Sequence, residues 1–257
     1  MKYDFKLDCG DKNIGTVYLP DKYDGKLPVI IYSHGWGGNR NLGAVLQKLL
    51  VKDIALVTFD YYGCGETGGD YSKMTYRRWK ENLSDITNWV VEQPYADLNR
   101  IGCYGFSSGS TAAFRLAAED NRIKYIISVG TAISVHIGMG DGGPAKLLSD
   151  NFELLQAGGT VQLFGVDFPL DFYLDTVSNA PIHKHILGNV KCPTLFLQGL
   201  SDNTFRCADA RMGYDVLKRE NVPVKIIEIT NGDHGLNNVA DEAGKAVLDW
   251  LGENTLI

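Results

Sequence analysis

Apolar positions fall into two alternating patterns along most of the chain. Short runs rich in β-branched and aromatic residues occur at Val29–Tyr32, Ile54–Phe59, Ile101–Tyr104, Ile123–Val129, Thr194–Leu197 and Val224–Ile229. Their near-continuous apolarity predicts strands covered on both faces, as in a parallel sheet. Between them, apolar residues recur at three- and four-residue spacings. Leu42 to Val51 and Tyr76 to Val91 (Trp79, Leu83, Ile86, Trp89, Val90) read as helices with one apolar face, as do Ser108 to Ala118, Asp209 to Glu220 and Ala240 to Leu251. Tyr3 to Leu19 alternates polar and apolar residues around Gly10 and Gly15, which predicts antiparallel strands or a hairpin. Strands alternating with helices predict an α/β class with a mostly parallel, doubly wound sheet.

One segment breaks the alternation. From about Thr131 to Asn189 aromatics mix with turn signals: Gly142-Gly143-Pro144, Gly158-Gly159, Phe168-Pro169-Leu170, Ala180-Pro181. A structureless loop of that length is improbable in a compact domain. The expectation is one domain over residues 1–257 with a mostly helical cap inserted at about 131–189. Such a cap would sit over the C-terminal edge of the sheet, where open α/β sheets bind ligands. Phe152, Phe164, Phe168, Phe172 and Tyr173 could line a ligand pocket there, although an aromatic stripe is more often packing.

Composition narrows the function classes. The chain of 257 residues is 44% apolar and 22% charged, with a formal net charge of −6, an ordinary profile for a single soluble domain with its own core. Lys and Arg are scattered singly, so no basic face for nucleic acid is expected. Cys9, Cys64, Cys103, Cys192 and Cys207 include no C-x-x-C pair, so neither a zinc site nor a redox motif is expected; they read as small apolar residues in a reducing compartment. The polar start Met1-Lys2-Tyr3-Asp4-Phe5-Lys6 is unlike a secretory leader, and no apolar run approaches the ~20 residues of a membrane span. A cytoplasmic protein without a membrane partner is expected. The oligomeric state stays open.

The candidate chemistry is concentrated in a few loops. Gly105-Phe106-Ser107-Ser108-Gly109 lies between an expected strand and an expected helix, the setting in which G-x-S-x-G forms a nucleophile elbow. Ser107, at the motif's centre, is the candidate nucleophile. An alcohol needs a base. Among His34, His136, His183, His185 and His234, the last lies in Gly232-Asp233-His234-Gly235, after the final core strand and before the final helix. That loop can bring an imidazole over the elbow, so His234 is the candidate base. His34, in a His-Gly turn, is better suited to the oxyanion site, and the other three fall in the cap. Asp202 follows the strand Thr194–Leu197 and is the candidate carboxylate for orienting the imidazole; Asp233 and Asp209 are its rivals. The backbone N–H of Ser108 and that of Trp36 are the expected oxyanion donors. Neither a metal nor an organic cofactor is called for.

His34-Gly35-Trp36-Gly37-Gly38, the loop Asp60-Tyr61-Tyr62-Gly63-Cys64-Gly65-Glu66-Thr67-Gly68-Gly69, the elbow, Asp202 and Gly232-Asp233-His234 together resemble the α/β-hydrolase superfamily. Within it the chain is similar to bacterial cinnamoyl and feruloyl esterases and to the catalytic domains of the acylaminoacyl-peptidase group. It departs from them at Cys64, where His is usual, at Thr67, where Ser is usual, and at Ser108, where a longer side chain such as Gln is common. The resemblance implies an α/β-hydrolase fold with a Ser107–His234–Asp202 triad. It also implies ester hydrolysis through an acyl-enzyme, acting on a small-molecule ester without a cofactor. A peptidase or amidase of the prolyl-oligopeptidase type and a non-catalytic binding protein on the same fold are the alternatives. Dehalogenase chemistry is disfavoured by Ser in place of Asp at the elbow.

Overall fold

The computed structural model of the protein describes residues 1–50, 53–133, 144–163, 165–179 and 184–257. Eight strands form the central sheet: β1 (Lys2–Lys6), β2 (Ile14–Tyr18), β3 (Leu27–Ser33), β4 (Ala55–Phe59), β5 (Ala96–Phe106), β6 (Tyr125–Val129), β9 (Thr194–Gly199) and β10 (Val224–Ile229), in spatial order β1-β2-β4-β3-β5-β6-β9-β10. β1 pairs with β2 and β2 with β4 antiparallel; every pairing from β4 to β10 is parallel. The uniform burial of β3, β4 and β6 follows from helices on both faces.

Those helices divide cleanly. α1 (Ala44–Leu49) and α9 (Ala240–Glu253) cover one face, where Val45, Leu46, Leu49, Val247, Trp250 and Leu251 meet Ile30, Ile127 and Leu195. α2 (Tyr76–Val91), α3 (Ser108–Glu119) and α8 (Cys207–Arg219) cover the other. α2 shows how sequence becomes packing. Thr75 caps its start by accepting from the Arg78 N–H at 3.1 Å. Trp79, Leu83, Ile86 and Val90 are fully buried along one stripe. Each such side chain contributes about 1.5–3 kcal/mol relative to exposure.

The chain runs from β3 outward to β4 on one side, whereas β5 lies on β3's other side. The order therefore reverses between β3 and β5, and the crevice beyond their C-terminal ends is the switch point where such sheets bind ligands.

The stretch between β6 and β9 carries α4 (Pro144–Asp150), α5 (Phe152–Gln156), β7 (Val161–Leu163), β8 (Val166–Phe168), α6 (Leu170–Asn179) and α7 (Lys184–Asn189). It is less purely helical than the sequence suggests. β7 and β8 form an antiparallel hairpin turning at Gly165, whose φ is +80°, and α7 packs on α3 and α8 as part of the body. Gly142, Gly143, Phe164, Ala180, Pro181, His136 and His183 lie outside the described residues.

Candidate active site

Ser107 stands at the junction of β5 and α3 with φ 53° and ψ −125°. Few non-glycine residues adopt such a backbone, which costs on the order of 1–3 kcal/mol. The turn is held by Ser107 N–H donating to the Val129 carbonyl at 2.8 Å and Ser110 N–H donating to the Ser107 carbonyl at 2.9 Å. Two glycines are sterically required. A Cβ on Gly105 would lie 2.6 Å from Ser110 Cα, and one on Gly109 would lie 2.0 Å from the Ser33 carbonyl oxygen. The elbow is thus pressed against both α3 and the end of β3. Ser108 opens α3, so its N–H belongs to the positive end of the helix.

The turn after β3 lies directly against the nucleophile: a Cβ on Gly35 would be 3.0 Å from Ser107 Cβ. Gly38 N–H donates to the Gly35 carbonyl at 3.0 Å and Gly37 has φ +65°, which defines a type II β-turn over Gly35–Gly38. The Gly35 carbonyl also accepts from His34 Nδ1 at 2.7 Å. In a trans peptide the N–H points opposite to the carbonyl, so fixing that carbonyl turns the Trp36 N–H away from the imidazole. His34 is fully buried among Tyr61 and Trp79, with Nε2 accepting from the Tyr61 N–H at 3.2 Å. Burial pulls its pKa down to about 4, against the smaller upward effects of the Gly35 carbonyl and Asp60. His34 is therefore a neutral brace behind the turn.

His234 follows β10. Its Nδ1 lies 2.8 Å from Asp202 Oδ2. Phe205 and Phe106 flank the ring, with centroids at 5.7 and 5.0 Å. Asp202, on the loop after β9, has a side chain only 1% exposed. Its Oδ1 accepts from the N–H groups of Thr204 at 2.7 Å and Phe205 at 2.9 Å, and its Oδ2 also accepts from Gln198 Nε2 at 2.9 Å. Burial opposes the charge. The hydrogen bond and charge of His234, with the Phe205 and Thr204 N–H groups, outweigh it and hold the carboxyl below the usual range. The rivals are engaged elsewhere. Asp233 accepts from the Asn237 N–H at 2.9 Å, and Asp209 sits in the first turn of α8 accepting from the Ile133 N–H at 3.3 Å.

Ser107, Ser108, Trp36 and His234 line one cavity of about 590 Å³, together with Tyr71, Tyr76, Phe106, Phe205, Cys64 and Val166. None of the cap aromatics singled out in the sequence does so among the described residues. Phe168 and Phe172 are core, packed on each other and on Trp36, and Phe152 packs on Tyr173. The segment between β6 and β9 reaches the cavity at Val166; the lining rings come from the sheet-edge loops and from the start of α2. Burial, helped by Asp60, raises the Cys64 thiol to about 12, so it stays protonated.

Sequence reasoning gave Asp60 no role beyond heading the glycine-rich loop, and Arg40 none. Asp60 is fully buried and joins two loops: Oδ1 accepts from the Arg40 N–H at 2.6 Å, and Oδ2 accepts from the Glu66 N–H at 2.9 Å. Arg40 returns its guanidinium to the same carboxylate. The glycine-rich loop 60–69, visible in the sequence, is thereby tied to the turn carrying Trp36. The flanking of His234 by Phe106 and Phe205 had no linear signature.

The family model described as X-Pro dipeptidyl-peptidase (S15 family) matches residues 12–153. An uncharacterized 31.7 kDa protein of the traX-finO intergenic region of Escherichia coli is 36% identical over 105 residues, 40% of this chain and 37% of that protein. The mitochondrial palmitoyl-protein thioesterase ABHD10 of Mus musculus is 24% identical over 232 residues, 84% of this chain and 72% of that protein. The matches to the first curated relatives span less than half of those proteins' length. Est1E from Butyrivibrio proteoclasticus, solved with ferulic acid bound, superposes with a TM-score of 0.75 at 18% identity, covering 96% of this chain and 99% of that one. The Pyrococcus horikoshii acylaminoacyl peptidase superposes at 0.70 with 19% identity, covering 98% and 41%. Those likenesses show the fold. From the match over more than half its length, the chain belongs to the X-Pro dipeptidyl-peptidase (S15) family, and it takes the α/β-hydrolase fold.

Proposed function

We propose that the protein is a serine hydrolase cleaving carboxylic esters of uncharged acyl groups through an acyl-enzyme. The observation that carries this reading is the 2.8 Å contact of His234 with Asp202 at the rim of the cavity that Ser107 also faces. Ser107 Oγ gives its proton to His234 Nε2 and adds to the acyl carbon. The tetrahedral oxyanion takes hydrogen bonds from the Ser108 and Trp36 N–H groups, each worth about 3–4 kcal/mol. Collapse breaks the ester bond while His234 protonates the departing alkoxide. Water, activated by the same imidazole, then releases the acid and restores Ser107. Asp202, held below the usual carboxylate range, keeps one tautomer in place and stabilises the imidazolium.

Family membership favours a second reading, cleavage of an amide. The cavity wall weighs against a dipeptidyl substrate with a free ammonium group. Such a group needs a carboxylate, and the lining residues include no Asp, Glu, Lys or Arg among the described residues. Trp36, Tyr71, Tyr76, Phe106 and Phe205 instead offer flat apolar surface, which suits a neutral aromatic or medium-chain acyl group, cinnamoyl or feruloyl included. The test is a panel of p-nitrophenyl esters, methyl ferulate and an aminoacyl-anilide. Ester turnover that falls at least about 10³-fold in Ser107→Ala supports the reading. Cleavage of the anilide alone moves the assignment to an amidase. No turnover and no fluorophosphonate labelling of Ser107 leaves a binding protein.

A further inference from the structure

The type II turn over Gly35–Gly38 is braced on its buried side by His34, but its second half has a different partner. The Gly37 N–H donates to the Tyr71 hydroxyl at 2.8 Å. Tyr71 lies in the short 3-10 helix Tyr71–Lys73, after the loop that begins at Asp60. Its backbone packs closely on Gly63: a Cβ there would lie 2.7 Å from Tyr71 Cα. Its ring packs edge-on against Phe168 of β8, with centroids at 5.9 Å, and Phe168 in turn packs on Trp36 at 5.8 Å. The phenol lines the cavity. Burial raises its pKa, so the group is a neutral hydroxyl.

Glycine at the third position of a β-turn accepts either sign of φ. The 36–37 peptide can therefore rotate between type I and type II orientations unless something holds it. Rotation would exchange the Gly37 N–H for the Trp36 carbonyl oxygen on the side that faces Tyr71, bringing a negative dipole toward the place where the oxyanion forms. We propose that Tyr71 is a positioning residue for the oxyanion site: by accepting the Gly37 N–H it holds the 36–37 peptide of the turn, and so keeps the Trp36 carbonyl turned away from the oxyanion that the Trp36 N–H receives. Phe168 carries the same constraint into the cap, so the β7-β8 hairpin and the oxyanion turn are supported by one ring. The inference rests on the hydrolase reading above.

Tyr71→Phe keeps the ring and removes the hydroxyl. The expected result is a 10- to 100-fold fall in kcat, about the size of a partly displaced oxyanion donor, with KM unchanged within about twofold. Affinity for a trifluoromethyl ketone, which forms the tetrahedral adduct, should fall by the same factor. The product acid should bind as before, and thermal stability should stay close to that of the wild type. Independently of turnover, hydrogen exchange at the Gly37 amide should accelerate about tenfold or more. Unchanged kcat and ketone affinity, or unchanged Gly37 exchange, would overturn the inference. A fall in stability with kcat and KM changing together would also overturn it, by showing general loosening instead. Wild-type protein that cleaves neither the esters nor the anilide defeats the hydrolase reading itself, while the exchange measurement still decides the role of Tyr71 in the turn.

Discussion

Replacing Asp202 by Asn tests the orienting carboxylate with almost no change in volume. Both oxygens of Asp202 are committed. Oδ1 accepts from the Thr204 and Phe205 N–H groups, while Oδ2 faces Gln198 Nε2 and His234 Nδ1. An asparagine has a single acceptor oxygen. With its NH₂ at the Oδ1 position it would oppose two backbone donors that cannot move. With its NH₂ at the Oδ2 position it opposes Gln198 and His234, and the imidazole can relieve its part by moving its proton to Nε2. The second arrangement is favoured, and it produces the tautomer unable to accept a proton from Ser107. The expected consequence is a fall in kcat approaching about 10⁴, or about 5 kcal/mol of transition-state stabilisation. KM should hardly move, because Asp202 does not line the cavity. The remaining clash with Gln198 and the lost charge–imidazole contact should lower unfolding stability by about 1–3 kcal/mol. Steady-state hydrolysis of a p-nitrophenyl ester, paired with urea unfolding, measures both quantities. A variant that keeps more than about a tenth of wild-type kcat would refute the assignment of Asp202.

His34 makes stability depend on pH. Its pKa is about 4 in the fold against 6.5 for the free side chain. Above about pH 6.5 both states are neutral and the fold is at full strength. As pH falls from there to about 4, only the unfolded chain takes up the proton, and about 3 kcal/mol is lost. Urea unfolding across that window should show the loss, and His34→Gln should remove that part of the slope; an identical slope in the variant would disprove the buried neutral imidazole. Gly109→Ala places a Cβ 2.0 Å from the Ser33 carbonyl and should lower stability by about 3 kcal/mol. Gly252→Ala, in open space on α9, should raise it by about 0.5–1 kcal/mol. Equal unfolding midpoints for these two variants would contradict the packing of the elbow.

Much of the fold was legible because its signals are local. Trp79, Leu83, Ile86 and Val90 repeat with helical spacing, and α2 occupies the span that this repeat marks. The β7-β8 hairpin was also legible in principle. Val161, Leu163 and Phe168 are buried while Gln162 and Asp167 are exposed around Gly165. Yet three-residue strands are too short to stand out against a helical background. Contacts between distant segments were less visible. Nothing in the sequence separates Phe168, which is core, from Phe205, which faces the cavity, because burial depends on what packs above a ring.

The sequence by itself determined the alternating strands and helices and the position of the elbow. It also determined the order serine, aspartate, histidine along the chain, since periodicity and the steric need for Gly105 and Gly109 act over a few residues. Tertiary structure decided which carboxylate meets the imidazole: Asp202, 32 residues from His234, while the adjacent Asp233 turns to the Asn237 N–H. It also brought Tyr71 to Gly37, 34 residues away. Neither meeting follows from spacing. Both depend on the sheet order that sets β3 beside β5 and β9 beside β10, and on loops whose ends those strands hold in place.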